Sequence, residues 1–246
     1  MIIIVNFSAN QNYQININSI PQNQTIIANI FNWPKVSDQI RGYFERVNGN
    51  LWQPVPKPIS EKNIKRLALI IESPHKDEFD NIFNPLCPLS GKSGKKYADF
   101  ICDKWFNIPN NDDIDIIEIK IFNPVQYQTS LYHFLNGKIE YNNYGNYNYK
   151  KLDKNLRNQV WKFLFINCNL LNDFTIRINN YNPDYIVNCC TGTTNNSLSK
   201  FKNSNKKTRY YKKSKNLKAH VRHVILSTLQ NQKNVQYLED AHPCSW

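Results

Sequence analysis

The stretch "IIESPHKDEFD", residues 70–80, ends an apolar run in a carboxylate, a proline and a burst of charge. Crowded carboxylates such as Glu72, Asp77, Glu78 and Asp80 can steady a developing cation, hold an attacking water, or trade protons with the imidazole of His75. Ser73, Pro74 and His75, which lie between them, are expected to contact the substrate. Asp77 and Asp80 read as solvated charges, which leaves Glu72 and Glu78 as the pair to follow.

Three distant fragments carry matching chemistry. In "PLSGKSG" (88–94), Leu89, Gly91, Lys92, Ser93 and Gly94 form a loop that can turn backbone N–H groups toward an oxygen at a helix start. A nucleotide-binding phosphate loop would need glycine five residues before Gly91, and Leu86 stands there, so ATP binding is not expected. In "FNPVQYQ" (122–128), Asn123 and Gln126 each offer a donor and an acceptor in one amide. In "HPCSW" (242–246), His242 can donate to an oxygen where charge develops, and Trp246 brings a large flat surface. His133, His220 and His223 read as ordinary surface or core histidines.

Regular elements must bring these fragments together. Arg66–Glu72 is a continuous apolar run, as in a strand covered on both faces, and Asp115–Phe122 and Tyr185–Cys190 repeat the pattern. Helices are predicted over Gly94–Phe106 and Leu152–Leu171 from the spacing of Tyr97, Ile101, Trp105 and of Val160, Leu164, Cys168. Residues 142–150, "NNYGNYNYK", are low-complexity and read as a loop. An apolar segment, His220–Ser227, precedes the terminal motif. Strands alternating with helices predict an α/β fold: a three-layer α/β/α sandwich around a central, mainly parallel sheet, with its site at the carboxyl ends of the strands. Glu72, Asn123 and Thr191 fall at such ends.

Residues 1–58 read as a small N-terminal appendage, with strands at Ile2–Phe7, Tyr13–Ile17 and Thr25–Ile30 and a helix from Ser37 to Val47. Pro54, Pro56 and Pro58 mark its boundary with a main domain over 59–246. No apolar run reaches the roughly 18 residues a membrane-spanning helix needs, so no membrane partner is expected. The six cysteines lack zinc-ligand spacing and read as free thiols in a reducing cytoplasm. No metal and no cofactor are expected, and the chain is expected to be a monomer.

A net charge of +12 favours a polyanionic partner. Between Lys200 and Arg222 the cations cluster without an acidic residue, and Lys206, Lys207, Arg209, Tyr210, Lys212 and Lys213 interleave charge with a ring. That mixture suits phosphate contact plus base stacking, so DNA, single- or double-stranded, is the expected partner.

Taken in order, the four fragments resemble the uracil-DNA glycosylase superfamily, closest to the bacterial and archaeal branch with G-E-A-P-G and H-P-S motifs. The resemblance runs over about residues 66–246. It implies that Glu72 or Glu78 handles water and the sugar cation, that Asn123 reads the base edge, and that His242 stabilises the departing base. It further implies that Trp246 wedges into the vacated stack. The chain departs from the pattern at Ile71, His75, Leu89 and Cys244, and it lacks the branch's iron–sulfur cysteines at matching positions, so no cluster is expected. Leu89 stands where that branch stacks a Phe on uracil, and this would leave room for a larger base. The activity so implied is hydrolytic, monofunctional excision of a flipped uracil-like or modified base, hypermodified phage cytosine included, as in DNA repair or anti-phage defence.

Two rivals stand beside this reading. Asp115, Glu118 and Lys120 on one strand resemble the E-x-K of metal-dependent nucleases, in which carboxylates hold Mg²⁺. The other rival is a DNA-binding module that keeps the fold without the chemistry.

Overall fold

The structure is a computed structural model. It describes residues 2–8, 10–16, 25–48, 51–59, 64–82, 84–104, 116–130, 149–191, 217–228 and 235–240. The fold is mixed α/β. Strands β1 (Ile2–Ser8), β2 (Gln11–Asn16) and β3 (Thr25–Asn29) form a small sheet in the order β2-β1-β3. A six-stranded sheet runs β5-β4-β7-β6-β8-β9, from β4 (Gln39–Asn48), β5 (Leu51–Val55), β6 (Ile64–Ile70), β7 (Ile116–Phe122), β8 (Tyr185–Asn188) and β9 (Gln236–Glu239). β7, β6, β8 and β9 are parallel, while β4 and β5 continue the sheet antiparallel beyond β7.

Among the described residues the α-helices are α1 (Lys92–Lys104), α2 (Tyr149–Asn167), α3 (Leu170–Tyr181) and α4 (Leu217–Thr228). Alternate residues of β6 divide between two apolar clusters, as period-two geometry requires. Leu67, Leu69 and Ile71 pack with Tyr97 and Ile101 of α1. Ala68 and Ile70 pack instead with residues of α2, α3 and α4, among them Trp161, Phe174 and Val221.

The helix expected over Ser37–Val47 is corrected: these residues run into strand β4, which hydrogen-bonds β5 on one edge and β7 on the other. The spacing of Ile40, Tyr43, Phe44 and Val47 imitates a helical period because a bulge between Ile40 and Gly42 interrupts strict alternation. Gly42 inside the run and the β-branched and aromatic residues around it favour the strand. Residues expected to form an appendage thus supply two strands of the main sheet. The first three strands also enter the large core, where Ile3, Val5, Ile15 and Ala28 are buried with α2.

The long helix expected over Leu152–Leu171 is divided. Asn169, with φ 61°, turns the chain between α2 and α3, and Asn182, with φ 51°, ends α3 before Pro183. Asparagine tolerates this left-handed geometry better than most residues. The segment His220–Ser227 lies within helix α4.

In chain order the parallel strands are arranged 2-1-3-4, so the connection out of β6 runs one way, to β7, and the connection out of β8 runs the other way, to β9. The gap beyond the carboxyl ends of β6 and β8 is therefore a topological switch point. Among the described residues no helix is long and apolar enough to cross a membrane.

Candidate functional site

A cavity of about 480 Å³ opens at that switch point. Its walls come from the segment after β6, the loop entering α1, the segment after β7, helix α2 and Thr191 in the segment after β8. Of the residues singled out from the sequence, Glu72, Ser73, Pro74, His75 and Glu78 line it from the first segment. Leu89, Gly91, Lys92 and Ser93 line it from the second. Two of the four fragments therefore meet at one cavity through the residues singled out in them, and the third touches it only through its last residue, Gln128.

Glu72 is buried at 4% exposure. Arg157 Nη2 lies 3.0 Å from its Oε1, and the Thr191 N–H donates to its Oε2 over 3.2 Å. Trp161, one helical turn beyond Arg157, donates its indole N–H to the Glu72 carbonyl over 2.8 Å. Helix α2 thus grips both the side chain and the backbone of Glu72 through an i, i+4 pair. Below it the thiol of Cys190, pushed up by burial, donates to the Ile71 carbonyl over 3.2 Å.

Glu78 closes a short 3₁₀ turn, Lys76–Glu78, and is 3% exposed. Burial pushes its carboxyl up to about 7, against the backbone N–H groups of Leu89 and His75 and the charge of Arg41, which pull it down. Among the described residues its Oε2 has no hydrogen-bond partner. His75 Nδ1 sits 3.2 Å from Asp77 Oδ2 in the more exposed part of the turn. Asp80 serves the backbone, where its carboxylate accepts the Ile82 and Asn84 N–H groups at 2.9 and 2.8 Å and closes the next turn.

The α1 entry loop is fitted against this turn. Leu89 is buried with φ 59°, an unusual conformation for a residue with a branched side chain. A Cβ on Gly94 would lie 1.4 Å from the Leu89 carbonyl oxygen, and one on Gly91 would lie 2.6 Å from Asp77. Gly94 is buried beneath the loop and is not part of the cavity lining.

The third fragment is placed differently. Asn123 is 1% exposed and does not line the cavity. Its N–H donates to Asp38 Oδ1 over 3.3 Å, and its carbonyl accepts from Arg177 Nη2 over 3.1 Å. Arg177 also pairs with Asp38 and Asp173. Gln126 turns its amide to Asp38, 3.3 Å away. Downstream residues of the same segment, Gln128 and Ser130, reach the cavity instead.

His242 and Trp246 lie outside the described residues, as do Lys206, Lys207, Arg209, Tyr210, Lys212, Lys213 and Asp115. Asp240, the last described residue, follows β9 at the same carboxyl rim, its N–H donating to the Asn188 carbonyl over 3.3 Å. Buried Lys218 donates to the Asp240 carbonyl and Arg222 pairs with Glu239, so the chain is tied down where it leaves the sheet.

Of the second strand pattern, Glu118 lines a small cavity of about 30 Å³ with Ile64 and Arg66. Ile64 begins β6, so this cavity sits toward the other end of the sheet. Lys120 Nζ lies over the rings of Phe122 and Tyr181 at 5.3 and 5.2 Å.

Arg157, Gln128 and Ser130 escaped the sequence reading. The available signal was an arginine one turn before a tryptophan on an otherwise apolar helix face. No protein-family model matches the chain, and no curated protein or solved structure matches it.

Proposed function

We propose that this chain is a monofunctional DNA glycosylase that hydrolyses the N-glycosidic bond of an everted uracil-like or modified base. One observation carries the reading: two buried carboxyl groups, Glu72 and Glu78, share one cavity at the switch point of the sheet. Cleaving an N-glycosidic bond passes through an oxocarbenium-like cation, and paired carboxyl groups in different environments are the chemistry for it. The volume falls within the range of small-ligand sites and accommodates one everted nucleoside. A net charge of +12 favours the polyanion that carries that base. The two apolar clusters on alternate sides of β6 support the three-layer sandwich the reading assumes.

In this reading the Glu72 carboxylate, held by Arg157 and Thr191, faces the sugar cation and positions water. His242 stabilises the leaving base, Trp246 fills the vacated stack, and the cations from Lys200 to Lys215 grip phosphates, while Lys218 and Arg222, buried in α4, serve the fold instead. Asn123 supplies the base-edge amide if substrate binding exposes it, and Gln128 stands closer to the cavity for the same role.

The test is incubation in EDTA with oligonucleotides carrying uracil, 5-hydroxymethylcytosine or its glucosylated form. Free base in the mass spectrum and sites that break only on alkaline treatment are expected. Direct strand breaks abolished by EDTA would replace this reading with a nuclease.

A further inference from the structure

We propose that Glu78 enters the reaction as a neutral carboxylic acid that delivers a proton to the departing base, while Glu72, paired with Arg157, serves the sugar side. The inference rests on the glycosylase reading and divides the labour between its two carboxyl groups.

The two environments differ. Glu72 has a guanidinium 3.0 Å away, an ion-pair contact that leaves its Oε1 without a hydrogen bond among the described residues, and a backbone N–H at 3.2 Å from its Oε2. Glu78 is equally buried at 3% exposure, yet no cation stands in hydrogen-bond contact with its carboxyl among the described residues. The Leu89 and His75 N–H groups serve one side of the carboxyl, and among the same residues Oε2 is left without a partner in a side chain that lines the cavity. A buried oxygen without a partner is costly, and a ligand atom that accepts a proton from it would relieve that cost.

The charged groups around Glu78 do not reverse this. Arg41 of β4 favours the ionised form and Asp77 of its own turn opposes it, with burial the larger influence. His75, Lys92 and Arg157 line the same cavity from three different segments, and Glu72 adds a second negative charge.

The step balances without another reagent. The C1′–N bond breaks and its electron pair goes to the base. The Oε2–H bond breaks and the proton goes to a carbonyl oxygen or a ring nitrogen of the base, so a neutral base leaves. Water adds to C1′, and its proton returns to the Glu78 carboxylate.

The experiment compares wild type, Glu78→Gln and Glu78→Ala in single turnover on oligonucleotides carrying uracil or 5-fluorouracil, the latter a more acidic leaving group. Both bases are run beside the modified-cytosine probes used to establish base release. An acid that protonates the leaving group is worth about 10² or more in rate. Glu78→Gln should lose about that much on uracil and less than about tenfold on 5-fluorouracil. Wild-type rates should fall above about pH 7 and the variant's should not. Formate should restore part of the Glu78→Ala rate, which a folding defect would not allow. Equal losses on both bases, or a wild-type profile that rises through the same range, would overturn the assignment and leave the glycosylase reading standing. Absence of base release from every probe by wild type would remove that reading and this assignment with it.

Discussion

Leu89 and Gly94 are in such close contact that a Cβ on Gly94 would lie 1.4 Å from the Leu89 carbonyl oxygen. The collision is with backbone, so no rotamer relieves it. Gly94→Ala must push the α1 entry loop away from the Glu78 turn, because the Leu89 N–H that serves Glu78 belongs to that loop. A loss of about 3 kcal/mol is expected, at the upper end of ordinary single substitutions. Urea unfolding of the variant measures it, and a change under about 1 kcal/mol would mean that the loop is loosely held.

The Arg157–Glu72 pair leads to a different expectation. Removing the guanidinium leaves a carboxylate of 4% exposure with one N–H donor. Arg157→Met should destabilise the fold by about 3 kcal/mol, and Glu72→Gln in the same chain should recover part of it. A double-mutant cycle in denaturant reads the coupling directly, expected at about 1 to 3 kcal/mol. Additive losses would show that the two side chains do not depend on each other.

Glu78 predicts how stability changes with pH. Its carboxyl titrates near 7 when folded, against an ordinary value of 4.5. Between those limits the folded chain holds a proton that the unfolded chain has released, so stability falls as pH rises and levels off above about 7. The full difference is about 3 kcal/mol. Glu78→Gln cannot ionise, so it should match wild type near pH 4.5 and exceed it near about pH 8. Melting temperatures across that range give the comparison, and parallel curves would contradict the raised carboxyl.

The basic stretch predicts a salt effect. Each phosphate contact on duplex DNA contributes about 0.9 to the slope of log affinity against log salt. Replacing Lys206, Lys207, Lys212 and Lys213 with Ala should flatten that slope by roughly 0.9 for each contact made. Binding titrations at several salt concentrations measure it, and an unchanged slope would detach these lysines from the phosphates.

Legibility in the sequence followed the kind of signal each element sends. Leu67–Ile71 and Tyr185–Cys190 are buried at every position because both faces are covered, and such runs announce themselves. Glu72 and Glu78 stood out because charge directly follows a buried strand. β4 was misread because its bulge shifts Tyr43 and Phe44 out of alternation. The break after α2 was hidden because Asn169 needs no proline or glycine to turn the chain. Arg157 carried only the faint local mark of a tryptophan one turn further on: its partner Glu72 lies far upstream, and only the packing of α2 against β6 joins them.

The covering of α2 has a further consequence. Leu156, Val160 and Leu164 form one buried row, Trp161 and Phe165 another, so the helix is enclosed over a wide arc. Part of that enclosure is the small sheet at the start of the chain, where Tyr13 stacks on Phe163 at 5.2 Å and its hydroxyl donates to Gln159 over 3.4 Å. The first strands of the chain therefore pack directly on the helix that presents Arg157. Loosening Ile3 or Val5 would be felt as a slacker grip on Glu72, an influence on chemistry exerted entirely from the roof.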